Sequence, residues 1–470
     1  MAEDPDIKVS SKLQWIAAMA MFMQSLDATI LNTALPAIAT DLNHSPLSMQ
    51  SIIVAYALTL ALFIPVSGWL ADRYGTRKVF SFAVALFTLG SLSCALSINL
   101  NMLVASRILQ AIGGSMMVPV SRLSLIYAYP KDQLLRVINF VTMPGLVGPV
   151  VGPLLGGWLV QIASWHWIFL VNIPIGVAGI IFAQKVMPNF TGLKRAFDTL
   201  GLVMFGGGLV LLSIGLELGG DGLVTLPVFI AFILLSIILL VSYVFYAHKK
   251  TNPLIDPKLF KIRTLRIGLI GNLVTRLGVG GLPLLLPLML QVAFGYSPSV
   301  SGMMLMPAAI TAIVAKSWIV PVVRRFGYKK VLISNTLALA LIISFFAIPD
   351  KSTPLLLLVP VMIVYGCFNS FQMTSMNTIT LADLDSNTAS GGNSLQAVMQ
   401  QLSMSMGVSI SMVVLRSVEE SEWLTHDNIG ISFKYTFIIL GVITAIASLV
   451  FLNLKKGDGD NMSGHKKNNI

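Results

Sequence analysis

The chain has 470 residues, 55% hydrophobic and only 11% charged, with a formal net charge of +11. That balance excludes a string of soluble domains, which carry about 25% charged residues, and the basic excess is spread over short links rather than gathered on one face, as nucleic acid requires. Two cysteines, Cys94 and Cys367, sit in separate apolar runs and imply neither a disulfide framework nor redox chemistry.

Lys8 and Lys12 precede an apolar run at 13–35. It is too long for the core of a signal peptide and lacks a small-residue cleavage site after it, so it reads as a first membrane span. Runs of similar length follow at 50–71, 79–98, 101–122, 137–160, 165–187, 197–217, 224–247, 267–291, 300–322, 331–348, 354–376, 391–415 and 433–454. A hydrocarbon core about 30 Å thick needs about 20 helical residues to cross it. Segments that long must satisfy their own backbone, which predicts an all-α integral membrane bundle rather than a barrel.

Fourteen spans place both termini on one side. When the links are numbered alternately, nearly all of the 31 Lys and Arg residues fall on that side; Lys351, Arg416 and Lys434 fall opposite, and Arg107, Arg276 and Lys316 fall within spans. The asymmetry predicts cytoplasmic termini. Ser45-Pro46 and Arg73-Tyr74-Gly75 reappear as Ser297-Pro298 and Arg325-Phe326-Gly327 at a common offset of 252 residues. Two parallel six-span halves are therefore expected at 13–187 and 267–454. Two additional helices and a basic linker occupy 188–266, between a short cytoplasmic segment 1–12 and a disordered tail 455–470.

Asp27 lies well inside the first span, where a carboxylate costs about 2.5–3.5 kcal/mol on insertion scales. Such a group is a candidate to couple transport to protons; the plainer alternative is an Asp that only hydrogen-bonds neighbouring helices. Arg107 in the fourth span is its candidate partner. Burial favours the neutral acid and a paired guanidinium the ionised one, so the sequence leaves the protonation state open. Arg276 and Lys316 have no acidic residue in their own spans; with Gln24, Asn32 and Gln110 they are candidates to line a watery cavity, although Lys316 could also snorkel to the interface.

The fifth span carries Gly145, Gly148, Pro149, Gly152, Pro153, Gly156 and Gly157. Glycines at three- and four-residue spacing allow close helix approach, and prolines remove backbone bonds, which suggests a gating contact. After the second span, Gly68, Asp72, Arg73 and Gly75 suggest a latch, with Gly75 permitting a tight turn. The five histidines have no metal-ligand spacing and no phosphate-binding loop is present, so neither a metal, a cofactor nor an enzymatic activity is expected.

These stretches, with Leu26-Asp27-Ala28-Thr29-Ile30-Leu31-Asn32-Thr33-Ala34-Leu35-Pro36 and Ser164-Trp165-His166-Trp167-Ile168-Phe169-Leu170-Val171-Asn172-Ile173-Pro174, resemble the major facilitator superfamily, specifically its fourteen-span drug:proton antiporters. The resemblance implies that the fifth-span stretch is the antiporter motif and that Asp72 and Arg73 belong to a loop that gates alternation. It places Arg107 in a proton-linked motif and Asp27 in the first-span motif of the branch. Ala111, Thr76 and Arg324 depart from the pattern, which weakens a symmetric latch. The implied function is proton-coupled efflux of drugs or other amphipathic small molecules across a bacterial inner membrane, by a protein that works without nucleic acid and could be monomeric. An exporter of one metabolite and a non-transporting scaffold are the alternatives.

Overall fold

The computed structural model describes residues 12–192, 196–220, 224–251, 253–385, 388–421, 425, 428–455 and 457–460. Fourteen long helices run through the described residues. The first six are α1 (Lys12–Ile30), α2 (Gln50–Tyr74), α3 (Thr76–Ala95), α4 (Leu100–Ala128), α5 (Lys131–Ile162) and α6 (Asn172–Val186). Two more, α7 (Thr199–Gly220) and α8 (Leu226–Lys249), lead into α9 (Arg263–Val279), α10 (Pro298–Phe326), α11 (Tyr328–Phe345), α12 (Leu358–Leu381), α13 (Ala389–Glu419) and α14 (Ile429–Phe451). By length and composition 13 of the helical stretches can cross a membrane. Helix α1 is not among them, because Gln14, Gln24, Ser25 and Asp27 dilute its apolar run.

The outside of the bundle is apolar. Helix α8 has a mean hydropathy of 3.0 and is the least buried of the spans. Its Leu234, Ile237, Ile238, Val241 and Phe245 are exposed, as a helix facing lipid requires and a water-soluble surface does not tolerate at that density.

The repeat at 252 residues is a repeat of helix-end chemistry. The Ser45 and Ser297 hydroxyls accept from the N–H groups of Leu47 and Val300 at 3.3 and 3.4 Å, each just ahead of a proline that opens a helical turn. At the far ends, Gly75 and Gly327 terminate α2 and α10 with φ of +95° and +76°, values that a side chain would strain.

Several contacts between the halves lie at the non-basic end. Gly157 of α5 abuts the Pro298 carbonyl, and Gly302 of α10 abuts the Pro153 carbonyl. Arg416 donates to the Leu47 carbonyl at 2.6 Å, and Gln291 donates to the Thr33 carbonyl at 3.0 Å. Helices α7 and α8 cover the flank where α2 meets α13, through Ala61, Leu209, Tyr243, Leu395 and Val398.

The expected disordered tail begins instead with a turn over 457–460, held where Asp458 pairs with Arg263 and Gly459 packs on Tyr328. The rest of that tail from 461, the segment 1–11 and the Lys194-Arg195 pair lie outside the described residues.

Candidate functional site

Asp27 is 1% exposed, at the meeting point of α1, α2, α3, α4 and α6. Arg107 Nη1 donates to its Oδ2 at 2.8 Å. The same Nη1 donates to Gln110 Oε1 at 2.7 Å, and Gln110, one turn along α4, donates Nε2 to Asp27 Oδ1 at 2.7 Å. Asn172 opens α6 and donates Nδ2 to Oδ1 at 3.2 Å and to Ser91 Oγ at 3.0 Å. Ser91 in turn donates to the Phe169 carbonyl at 3.1 Å. The Tyr56 ring lies under the guanidinium, with its centroid 4.1 Å from Cζ.

Arg107, Gln110 and Asn172 all donate to this carboxylate. The ionised acid, with acceptor positions only, satisfies them; a protonated acid adds an O–H among donors. Uptake of a proton therefore removes the negative charge that matches Arg107 and weakens this ion pair. Both members of this ion pair lie inside spans.

The fifth-span glycines mostly face α1 of their own half. Pro149 has no N–H, which leaves the Gly145 carbonyl without its helical donor. Ser25 of α1 replaces it, donating Oγ at 2.6 Å. Thr29 and Thr33, one and two turns on, donate to the carbonyls of Gly148 and Pro153 at 3.1 and 3.2 Å. A Cβ at Gly148, Gly152 or Gly156 would collide with Ser25, Thr29 or the Ile30 carbonyl, whereas one at Gly145 would only touch Met21. Gly157 alone of the expected gating glycines reaches the second half.

The loop after α2 is fastened to the segment before α7. The Asp72 carbonyl accepts from the Gly192 N–H at 3.0 Å, and its carboxylate accepts from the Tyr127 hydroxyl at 3.4 Å. Thr76, which displaces the basic pair by one place, donates its hydroxyl to the Pro188 carbonyl at 3.1 Å. Arg73 lies over the rings of Trp69 and Tyr74, and a Cβ at Gly68 would meet open space. Asp72 and Thr76 thus fasten this turn to the inserted segment that begins at 188.

A cavity of about 430 Å³ lies between the halves, within the range of small-molecule pockets. Of the residues expected to line it, Asn32 and Lys316 do, joined by Thr29, Pro149 and Pro153. Gln110 does not: it is fully buried beside Asp27. Gln24 is turned to the Gly114 carbonyl, 3.3 Å away, and Arg276 donates Nε to Asn272 at 2.8 Å; neither forms part of the wall. Asp27 is not on the wall either.

Sequence reasoning missed Ser91, Tyr56 and Asn172, whose signal was an Asn in an apolar run just ahead of Ile173-Pro174. It also missed Asp198, 3% exposed, which accepts from Tyr246 at 2.8 Å, Lys250 at 2.9 Å and the Leu254 and Gly201 N–H groups at 2.9 and 3.0 Å. Tyr243, Tyr246 and Lys250 share one face of the α8 end, and that spacing was the available signal.

The Major Facilitator Superfamily profile matches residues 17–408. A Serratia proteamaculans (strain 568) protein described as "Putative multidrug resistance protein MdtD" is 44% identical over 450 residues, 95% of this chain and 94% of that protein. A Haemophilus influenzae protein described as "Probable transport protein HsrA" is 42% identical over 452 residues, covering 96% and 97%. Among solved structures, a POT family transporter in complex with a thioalcohol-conjugated peptide superposes with a TM-score of 0.69 over 94% of each chain, at 13% identity. A bacterial homolog of the human lysosomal transporter Spinster, inward-facing and unoccupied, gives 0.63 over 94% and 96%, at 15% identity. Likeness at such identity speaks to fold alone. The profile and the near end-to-end relatives together show that this multi-pass membrane chain belongs to the Major Facilitator Superfamily.

Proposed function

We propose that the chain is a proton-coupled antiporter that exports small amphipathic molecules across a bacterial inner membrane, with both termini in the cytoplasm. The carrying observation is the carboxylate of Asp27, almost fully buried, saturated by donors and matched to Arg107. The names of the MdtD relatives point the same way on substrate class. The basic links support the orientation.

In this reading Asp27 and substrate do not compete for one spot, because the acid lies off the cavity wall. Protonation removes the charge that holds Arg107 and so loosens α1 from α4. Asn172 Oδ1, which has no hydrogen-bond partner, can receive the new O–H if its amide turns over. Ser25, Thr29 and Thr33 carry the shift of α1 to α5, and α5 meets α10 at Gly157. Breaking a buried pair costs about 3–5 kcal/mol. One proton entering under 100 mV and one pH unit supplies about 3.7 kcal/mol, which is the same size.

Everted vesicles should show substrate-induced proton release that Asp27→Asn abolishes while the protein remains inserted. Undiminished release from that variant refutes the assignment.

A further inference from the structure

The two halves treat charge differently. In the first, Arg107 is matched by Asp27. In the second, Arg276 of α9 and Lys316 of α10 have no carboxylate partner among the described residues. No acidic side chain lines the cavity that Lys316 enters. Unmatched cations within spans mark ion or substrate paths, because a charge there needs a counter-charge or water.

Lys316 is not placed as a lipid-facing snorkel. It continues the α10 face of Leu305, Ala309 and Ala312 that forms the cavity wall, at helical spacing. The adjoining wall, α12, which packs on α10 through Ser370 and the Ala312 carbonyl, offers Asn369, Thr374 and Asn377. Asn369 Oδ1 is buried without a hydrogen-bond partner. Arg276 is half-buried, with its Nε engaged by Asn272, and lies off the cavity wall. The cavity is thus an apolar slot with a polar wall and a positive field, and nothing in it that would neutralise a cation.

We propose that this cavity takes an amphipathic organic anion, its carboxylate-type headgroup held by Lys316, and its apolar body along Leu305, Ala309 and Met362. The inference deepens the transport reading and rests on it. It carries a distinctive consequence. Exchange of one entering proton for one leaving monoanion moves two charges in the same sense, so a membrane potential alone drives it. A neutral substrate moves one charge per cycle and a monocation none.

The test uses the purified full chain in proteoliposomes and three probes on one ring system: 2-naphthylacetate, 2-naphthylmethanol and (2-naphthylmethyl)trimethylammonium. Flux is followed under a potassium diffusion potential without a pH gradient. The expected result is saturable flux of the acetate, driven by the potential. Lys316→Gln should raise its half-saturation concentration about 10-fold, the loss typical of one hydrogen bond to a charged group, and Lys316→Arg should restore most of it. Preference for the ammonium probe, no saturable acetate flux, or an unchanged half-saturation in Lys316→Gln overturns the proposal. Asp27→Asn, run in parallel, separates the two readings. Ammonium flux that this variant abolishes sinks the anion assignment and leaves proton coupling standing. Acetate flux that stays proton-coupled in this variant sinks the role of Asp27 and leaves the anion assignment standing.

Discussion

The Asp27 network sets a thermodynamic cost that can be measured apart from transport. In Asp27→Asn, one side of the new amide must face a donor whichever way it is turned, because Arg107, Gln110 and Asn172 all donate to this position. The substitution also leaves a guanidinium that is 1% exposed without its counter-charge. Removing one partner of a buried pair costs about 3–5 kcal/mol, and the Tyr56 ring at 4.1 Å changes little of that because it faces Arg107 before and after the substitution. Asp27→Asn should therefore destabilise the protein by about 3–5 kcal/mol. Adding Arg107→Met removes the stranded charge and should recover most of the loss, since an apolar replacement of a whole buried pair is close to neutral. Reversible unfolding in mixed detergent micelles, run on both single variants and the double, gives the coupling energy, expected near 3 kcal/mol. A coupling energy near zero would show that the pair is not energetically linked, and the proposed link between protonation and helix movement would fall with it.

Two further outcomes follow from the packing. Gly152→Leu should arrest flux at normal membrane levels of protein, because its side chain would have to displace Thr29, which α1 uses to hold α5; transport by this variant at the unmodified rate would exclude close α1–α5 contact from the cycle. At Asp198, burial acts to raise the acid's pKa, but donors from Lys250, Tyr246 and the Leu254 and Gly201 amides outweigh it and hold it below the usual carboxylate value. A depressed folded pKa means that the stabilisation is complete above the unfolded value, near 3.9, and fades as pH falls through the folded one. The 250–262 linker should therefore resist pepsin near pH 4 and be cut at lower pH, whereas Asp198→Asn should leave it open to cleavage throughout; identical cleavage profiles would refute the clamp.

Composition and spacing alone determined much of this protein. Apolar runs of spanning length dictate helices, because backbone groups in lipid have no other partners, and the placement of Lys and Arg supports the proposed orientation. Ser45-Pro46 and Ser297-Pro298 were legible as helix starts, and Gly75 and Gly327 as ends, because caps are local chemistry. The prominence of Asp27 and Arg107 was legible too, since a charge in an apolar run is conspicuous on its own.

Only the tertiary structure decided what those residues face. It brought Gln110 to the carboxylate instead of the cavity, because its neighbours lie 83 and 19 residues away along the chain and no local pattern encodes that distance. It turned the fifth-span glycines toward Ser25 and Thr29 of the same half, where a helix rotated by a few residues would have aimed them across the seam. It also left Lys316 on a cavity wall while burying Asp27 elsewhere. A sequence lists how many charges enter the membrane; which of them neutralise one another depends on distances that exist only after the helices have packed.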